Sequence, residues 1–299
     1  MTDRHVVVGV DGSLVAVRAL DWAAEEAVRR GSGLRIVYAV ADRDEAGPVL
    51  ASAAARVHER RPGLPVETRA VEDGTVRALA RESEDAVLTV VGTRGFGGVS
   101  GLLAGSVSRR LAAHVRGPLL VARGDHPRDE GREVLLGLES DADEAAAAYA
   151  FQEAARRGAL LRVLHSATHR HTTPELPSLV AATSPGQERQ ARYGLAEEAV
   201  PRFSIARLRE AYPQIGVDSR TVRTGPARAL LAGTSEAGVV VIGTRRRAGR
   251  LGPPVGPVAH VLLHHSHCPV VLVPTTGRRA SGSQDGPVGP VGYPAGREG

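Results

Sequence analysis

The sequence predicts an α/β protein of two tandem units, each an open, parallel, five-stranded sheet with helices on both faces. Two observations predict it. The chain repeats itself, because HVVVGVDGS and AVLTVVGTRG in the first half are matched, in the same order, by EVLLGLESD and GVVVIGTRRR in the second. Within the first copy, short apolar runs alternate with segments of helical period, as in the strand–helix–strand units of a parallel sheet.

The first copy is predicted to contain five strands and four helices. A buried strand over residues 6–10 leads into a helix whose apolar positions run from Leu14 to Val28 and which should end at Gly31. The remaining elements are predicted in alternation: strand 34–40, helix 48–60, strand 65–71, helix 75–84, strand 86–91, helix 106–115 and strand 119–122.

The same order of elements recurs in the second half, which sets the predicted domain boundaries. We expect a first domain over residues 1–124, a polar linker over 125–132 and a second domain over 133–275. An insertion between about residues 167 and 186 is predicted to be a loop. The tail over 276–299 is rich in Gly, Pro and Ser and is predicted to be disordered.

Composition narrows the class of protein. Hydrophobic residues make up 42% of the chain but aromatic residues only 3%, so the cores should consist of Ala, Val and Leu. The single cysteine, Cys268, excludes a disulfide framework and a cysteine-based zinc site. No apolar run approaches the roughly 20 residues that span a bilayer, and the start lacks an apolar leader, so we expect a cytoplasmic protein.

All 38 basic residues are arginine, and the chain contains no lysine. A Walker A loop requires its lysine, so that type of phosphate site is excluded. The charge of +5 is scattered among acidic residues, and few aromatic side chains are present to stack on bases, which argues against nucleic-acid binding.

Six glycines separate the fourth predicted strand from the next helix, in VVGTRGFGGVSGLLAGSVSRRLAAHV at residues 90–115. Ligands of open parallel sheets bind at the carboxyl ends of strands where the strand order reverses, and both Asp11 and Gly92 follow such strands. The helix predicted to begin at Ser106 would offer free amides to a phosphate. Two simpler interpretations are open: the glycines form only a tight turn, and Asp11 and Ser106 only cap helices.

The pattern Gly92-x2-Gly95-x9-Gly105-Ser106, together with VVVGVDGS near the start, resembles the universal stress protein family in its ATP-binding form. The resemblance covers nearly the whole chain as two tandem family domains. It implies a Rossmann-like fold, related to the adenine nucleotide α-hydrolases, with ATP between the ends of the first and fourth strands. It also implies a role in the stress response.

The resemblance further implies a set of ATP-binding residues. The main chain around Gly92 and Gly95 would approach the ribose and phosphates, Asp11 would face the adenosine end, and Val40 would contact adenine through its main chain. Gly105, Ser106 and Val107 would hold phosphate. The complete implied set is Gly9, Asp11, Val40, Gly92, Gly95, Gly105, Ser106 and Val107.

The second copy departs from this pattern. Alignment of the halves places Glu139, Gly243, Arg246, Gly256 and Pro257 at the positions of Asp11, Gly92, Gly95, Gly105 and Ser106. Proline removes both the hydroxyl and one amide donor, so we predict one working ATP site and one degenerate site. The arginines of TRRRAGRLG are open to two interpretations, a solvated basic loop or an anion site that acts by charge alone: Arg245, Arg246, Arg247 and Arg250.

No catalytic or metal-binding set emerges from the sequence. In the segment HHSHC, from His264 to Cys268, His265 aligns with His114 of the first copy, and no metal is expected there. We therefore expect an ATP-binding regulatory or interaction module with an unidentified protein partner and no enzymatic activity. A slow ATPase or autophosphorylating phosphotransferase and a nucleotide-free scaffold are the alternatives. The last strands, 119–122 and 269–273, are expected to pair internally as a pseudo-dimer, with a homodimer as a further expectation.

Overall fold

The computed structural model describes residues 5–40, 45–93, 106–123, 132–139, 143–166, 205–222, 224–245 and 255–275. The glycine loop 94–105, most of the predicted linker, the predicted insertion and the tail lie outside these residues. No helix in the described ranges is long and apolar enough to cross a membrane.

Strands and helices alternate in both copies, which confirms the predicted order. The first copy comprises β1 (His5–Gly9), α1 (Leu14–Arg30), β2 (Gly33–Val40), α2 (Ala46–Arg60), β3 (Val66–Glu72), α3 (Thr75–Glu82), β4 (Ala86–Gly92), α4 (Ser106–Ala112) and β5 (Leu119–Ala122). The second comprises β6 (Glu133–Leu138), α5 (Glu144–Arg157), β7 (Leu161–Ser166), α6 (helical residues 205–211), β8 (Val217–Val222), α7 (Pro226–Gly233), β9 (Ala237–Arg245), α8 (Pro257–His265) and β10 (Val270–Thr275).

The two predicted five-stranded sheets form one continuous ten-stranded sheet, in the order β3-β2-β1-β4-β5-β10-β9-β6-β7-β8. The strands are parallel within each copy, and β5 and β10 join the copies in antiparallel pairing. The predicted pairing of the last strands is therefore confirmed. It covers two short edges whose side chains are almost entirely buried and apolar, and which would otherwise present unpaired amides to solvent.

Hydrophobic layers cover both faces of the sheet. Side chains from α1, α2 and α5 pack on one face, and side chains from α3, α4, α7 and α8 pack on the other. The central strands are buried on both sides, which explains why they read as continuous apolar runs. The two outer strands, β3 and β8, instead carry charged pairs such as Glu67–Arg69 and Asp218–Arg220, which discourage edge-to-edge association.

Helix α1 departs from its predicted apolar face. Its N-terminus is capped by Ser13, whose Oγ accepts a hydrogen bond from Ala16 N at 3.2 Å, and its C-cap Gly31 has φ of 59°. Leu14 and Val28, however, are 84% and 51% exposed. The buried positions include Glu26, because a second helix from the other copy packs beside α1.

Helices α1 and α5 are joined by a buried, reciprocal ion-pair network, to which Arg30 and Glu26 of the first copy and Arg157 and Glu153 of the second contribute. Arg30 lies 2.7 Å from Glu153, and Arg157 lies 2.6 Å from Glu26. Arg30 and Glu26 also pair within α1, as do Arg157 and Glu153 within α5. Tyr149 accepts a hydrogen bond from Arg30 at 2.8 Å. The network links the two copies on the face that carries α1 and α5.

Candidate functional site

Each copy has one place where the strand order reverses. In the first copy β1 lies between β2 and β4, so the chain leaves β1 in one direction and returns on its other side as β4. In the second copy β6 has the same position between β7 and β9. The carboxyl ends of β1 and β4, and of β6 and β9, therefore flank the two crevices in which ligands of such sheets bind.

The turn after β1 holds Asp11 at the first crevice. Asp11 Oδ1 accepts a hydrogen bond from Ser13 N at 3.0 Å, and the intervening Gly12 has φ of 78°. Ser13 is the N-cap of α1, so Asp11 closes the turn and does not cap the helix. The turn therefore holds an acceptor carboxylate at the end of β1, beside the first crevice.

Gly9 and Gly92, at the ends of β1 and β4, both lie in close contact with a neighbouring helix. A Cβ on Gly9 would lie 2.8 Å from the Leu79 side chain, which belongs to α3. A Cβ on Gly92 would lie 2.7 Å from a Val15 methyl group and 3.1 Å from the Val15 carbonyl oxygen. These two glycines let α1 and α3 approach the strand ends, a reason that holds with or without ligand.

The other predicted site residues are distributed around the same edge. Val40 ends β2 and is 9% exposed, Ser106 is the first residue of α4, and Val107 packs partly buried on the adjoining core. Gly95 and Gly105 lie outside the described residues. The structure thus brings the ends of β1, β2 and β4 to one edge of the sheet.

The second crevice contains a cavity of about 350 Å³. It is bounded by the ends of β6 and β9, by the starts of α5 and α8, and by α7. The lining residues are Gly137, Leu138, Glu139, Asp143, Leu164, Val222, Pro226, Ala229, Leu230, Ile242, Gly243, Thr244, Gly256, Pro257, Val258 and Ala259. They include four positions that the alignment of the copies assigned to the degenerate site: Glu139, Gly243, Gly256 and Pro257.

A buried carboxylate distinguishes this second site. A Cβ on Gly243 would collide with Asp143 Oδ1, in the same way that one on Gly92 would collide with Val15. Asp143, which is 5% exposed, therefore takes the place of an aliphatic side chain. Its Oδ2 accepts a hydrogen bond from Glu139 N at 2.8 Å. Pro257 begins α8, and no side chain caps that helix.

Sequence reasoning missed the residues that pack against the strand-end glycines. Val15 packs against Gly92 in the first copy, and Asp143 packs against Gly243 in the second. Leu79 and Leu230 pack in the same way against the other strand-end glycine of each copy. Extending the alignment of HVVVGVDGS with EVLLGLESD by two residues places Asp143 opposite Val15. That change from an aliphatic residue to an acid was the available signal.

The histidine-rich segment forms the end of α8. The rings of His260 and His264 lie 4.3 Å apart, and Arg123 donates hydrogen bonds to the carbonyls of Leu263 and Ser266, each at 2.8 Å, and to that of His264. Burial lowers the pKa of His264, and the neighbouring histidines and arginines lower it further. Within the described ranges, no three His, Cys, Asp or Glu side chains are arranged to hold a metal ion. In this structure Arg123 attaches α8 to the first copy.

The fold and the paired crevices define a tandem Rossmann-like α/β protein. The model of the universal stress protein family matches residues 3–123 and 131–274. The chain belongs to this family, with one matched region in each copy. The match confirms the family membership that the motifs predicted.

Known proteins of similar length support this assignment. A universal stress protein of Mycobacterium tuberculosis is 32% identical over 292 residues, covering 89% of this chain and 95% of the relative. One from Mycolicibacterium smegmatis is 31% identical over 296 residues, covering 91% and 97%. The crystal structure of a universal stress protein from Archaeoglobus fulgidus shares the fold, with a TM-score of 0.63 at 17% identity over 92% of this chain and 99% of that one.

Proposed function

We propose that the first domain binds ATP in the crevice between β1 and β4, and that the chain acts as a nucleotide-dependent regulatory or interaction module. The observation that carries the proposal is the reversal of strand order between these strands, with Gly9, Asp11 and Gly92 at their carboxyl ends. The predicted phosphate-binding pattern leads from that edge directly into α4 at Ser106.

Each proposed contact uses an ordinary property of its residue. Asp11 accepts hydrogen bonds from ribose hydroxyl groups, and a carboxylate at that end would repel the phosphates and so orient the nucleotide. The backbone from Gly92 to Gly105 approaches the phosphates, where glycines allow close contact. Ser106 donates its hydroxyl, and Val40 offers main-chain groups to adenine.

The proposed mechanism is regulatory and not catalytic. Bound ATP would order the segment between Gly92 and Gly105, and so change the surface that the first domain offers to a partner protein. The sequence offers no carboxylate pair or Ser/His/Asp set of the kind that hydrolysis requires. The reciprocal network between α1 and α5 would keep the second domain in register with the first as the ligand binds.

Calorimetric titration of the nucleotide-stripped full chain with ATP tests this proposal. We expect about one ATP per chain, lost in Gly105→Val because a side chain would occupy the phosphate position. Gly256→Val is the matched control: it alters the equivalent residue of the second copy, where a Cβ would meet nothing within 4 Å. Absence of binding, or equal loss in both variants, would contradict the assignment to the first domain.

A further inference from the structure

Basic side chains of both copies meet at the end of α8. His260 and His264 lie one turn apart on this helix, both are half-buried, and their ring centroids are 4.3 Å apart. Arg123, which follows β5 of the first copy, donates hydrogen bonds to carbonyls of the last turn and the C-cap of α8. The imidazole pair of the second copy and a guanidinium group of the first copy are therefore found at the same helix end.

Further positive charge acts on His264. It comes from Arg109 on α4 of the first copy and from Arg123, and the neighbouring imidazole of His265 adds to it when protonated. Arg109 Nε is buried and has no hydrogen-bond partner among the described residues. Because burial keeps water from this atom, the charge of Arg109 is screened less than it would be in solution.

The elements around α8 offer no carboxylate to offset a further positive charge. Helix α7 and strand β10 pack against α8, and α4 contributes to the same hydrophobic layer. None of these three elements contains an acidic residue. The charged residue of α7, Arg228, is exposed, and His267, beyond α8, lies within hydrogen-bond distance of Thr234 Oγ1 at 3.2 Å.

Protonation of His264 is therefore unfavourable in the folded chain. Burial first, and then the neighbouring histidines and arginines, hold the pKa of His264 below its ordinary value of 6.5. A cation near a helix C-terminus is usually stabilised by the helix dipole. At this terminus, however, Arg123 already occupies the carbonyls, so a protonated imidazole would meet a like charge.

We propose that the end of α8 is a pH-sensitive contact between the two copies. Neutral His260 and His264 allow Arg123 to hold the helix, whereas protonation within this pair repels Arg123 and loosens α8 from the first copy. Helix α8 begins at Pro257, which lines the second cavity, so its release would also alter the wall of that cavity. The inference does not depend on nucleotide binding.

The contact should weaken as the pH falls below neutrality. The pKa of His264 is lower in the folded chain than in the unfolded chain, so between the two values the unfolded chain binds more protons. The stability that neutral His264 contributes is therefore present above pH 6.5 and is lost as the pH falls through 6.5 toward the folded-state pKa. The ion pairs of Glu153 remain intact at this pH, because their loss begins only below pH 4.5.

Amide hydrogen exchange of the full chain, measured at about pH 8 and about pH 5.5 and corrected for the intrinsic pH dependence of exchange, tests the proposal. In the segment 257–265 we expect the open fraction to rise about fivefold at the lower pH, the effect of one like-charge contact near 4 Å in water. His264→Gln, which cannot be protonated, should show no such rise. Exchange in α1 and α5 should be the same at both pH values.

His58→Gln is the matched control. His58 also lies in the last turn of a helix, α2, but it is exposed, so this variant should show the same pH response in α8 as the parent chain. Arg123→Met tests the contact itself. It removes both the hydrogen bonds to α8 and a like charge, so α8 should open more often at pH 8 and respond less to acid.

Three results would overturn the inference. One is an equal pH response of α8 in the parent chain and in His264→Gln. Another is a rise in exchange that extends to α1 and α5, because it would report global unfolding and not release of one helix. The third is exchange of α8 that is unchanged in Arg123→Met, since Arg123 would then not hold the helix.

Discussion

Arg30 of the first copy lies 2.7 Å from Glu153 of the second, and the pair is almost completely buried, with 6% and 1% of the two side chains exposed. The reciprocal pair, Arg157 and Glu26, lies at 2.6 Å with 4% and 0% exposed. Each of the four buried charges faces an opposite charge on its own helix and another on the neighbouring helix. The network thus makes the two copies interdependent.

Arg30→Met should destabilise the whole chain. Loss of Arg30 removes one of the two buried guanidinium groups that face Glu26 and Glu153, and weakening a buried ion-pair network costs up to about 3–5 kcal/mol in the free energy of unfolding. Denaturant titration followed by circular dichroism measures the change. Arg116→Met is the control, because Arg116 pairs with Glu84 at the surface and should cost less than about 1 kcal/mol. Equal effects of the two substitutions would be inconsistent with a structural role of the network.

Acid should weaken the ion pairs that Glu153 makes with Arg30 and Arg157. Burial alone would raise the pKa of Glu153, but Arg157 and Arg30 outweigh it and lower the pKa from 4.5 to about 2. Since the pKa of Glu153 in the folded state lies below its value in the unfolded state, the stability that its charge contributes is complete above pH 4.5 and is lost as the pH falls toward 2. Unfolding free energies of the parent chain and Glu153→Gln, compared between pH 7 and 2, should converge in that window. A difference in unfolding free energy that stays constant from pH 7 to pH 2 would refute the stabilising role of the Glu153 charge.

Gly92→Ala should destabilise the first domain more than an alanine at an ordinary loop glycine. The new Cβ would meet Val15, including its carbonyl oxygen at 3.1 Å, so α1 would have to shift away from β4. Gly117→Ala is the comparison, because its nearest contact, the Ala86 carbonyl oxygen, is at an ordinary 3.5 Å. Thermal melts of the two variants should show a clear drop only for Gly92→Ala, and similar melting temperatures would argue against the packing role.

Asp11→Asn should weaken ATP binding by about tenfold, the usual effect of losing one charge-assisted hydrogen bond. The turn should survive, because the amide oxygen of Asn can accept the bond that Ser13 N now donates to Asp11 Oδ1. Glu139→Gln makes the equivalent change in the second copy and should leave ATP affinity unaltered. Calorimetry distinguishes the two. If only Glu139→Gln changed the affinity, the ATP site would belong to the second domain.

Much of the fold could be predicted from the sequence because repetition and periodicity are local signals. Runs such as Val6 to Val8 are buried on both faces and therefore read as strands of a parallel sheet. The union of β5 and β10 could also be foreseen, since two short apolar edges require a partner. Because β5 and β10 pair, the two predicted five-stranded sheets form one ten-stranded sheet.

The interdomain network and the wall of the second cavity could not be predicted so directly. Glu26 and Arg30 look like an ordinary surface pair one helical turn apart, and only the packing of α5 against α1 buries them. Leu14 illustrates the converse, because it fits the helical period yet is 84% exposed. Asp143 is visible in the sequence, but only the structure shows that it contacts Gly243. Such relations depend on tertiary neighbours that periodicity does not report.

Native mass spectrometry of the purified full chain measures the central claim, one ATP site in the first domain, most directly. The account predicts that the chain, incubated with ATP and exchanged into volatile buffer, carries a mass increment of a single ATP. That increment should disappear in Gly105→Val and persist in Gly256→Val. A chain that carries no ATP, or one that carries two and loses one in Gly256→Val, would contradict the account.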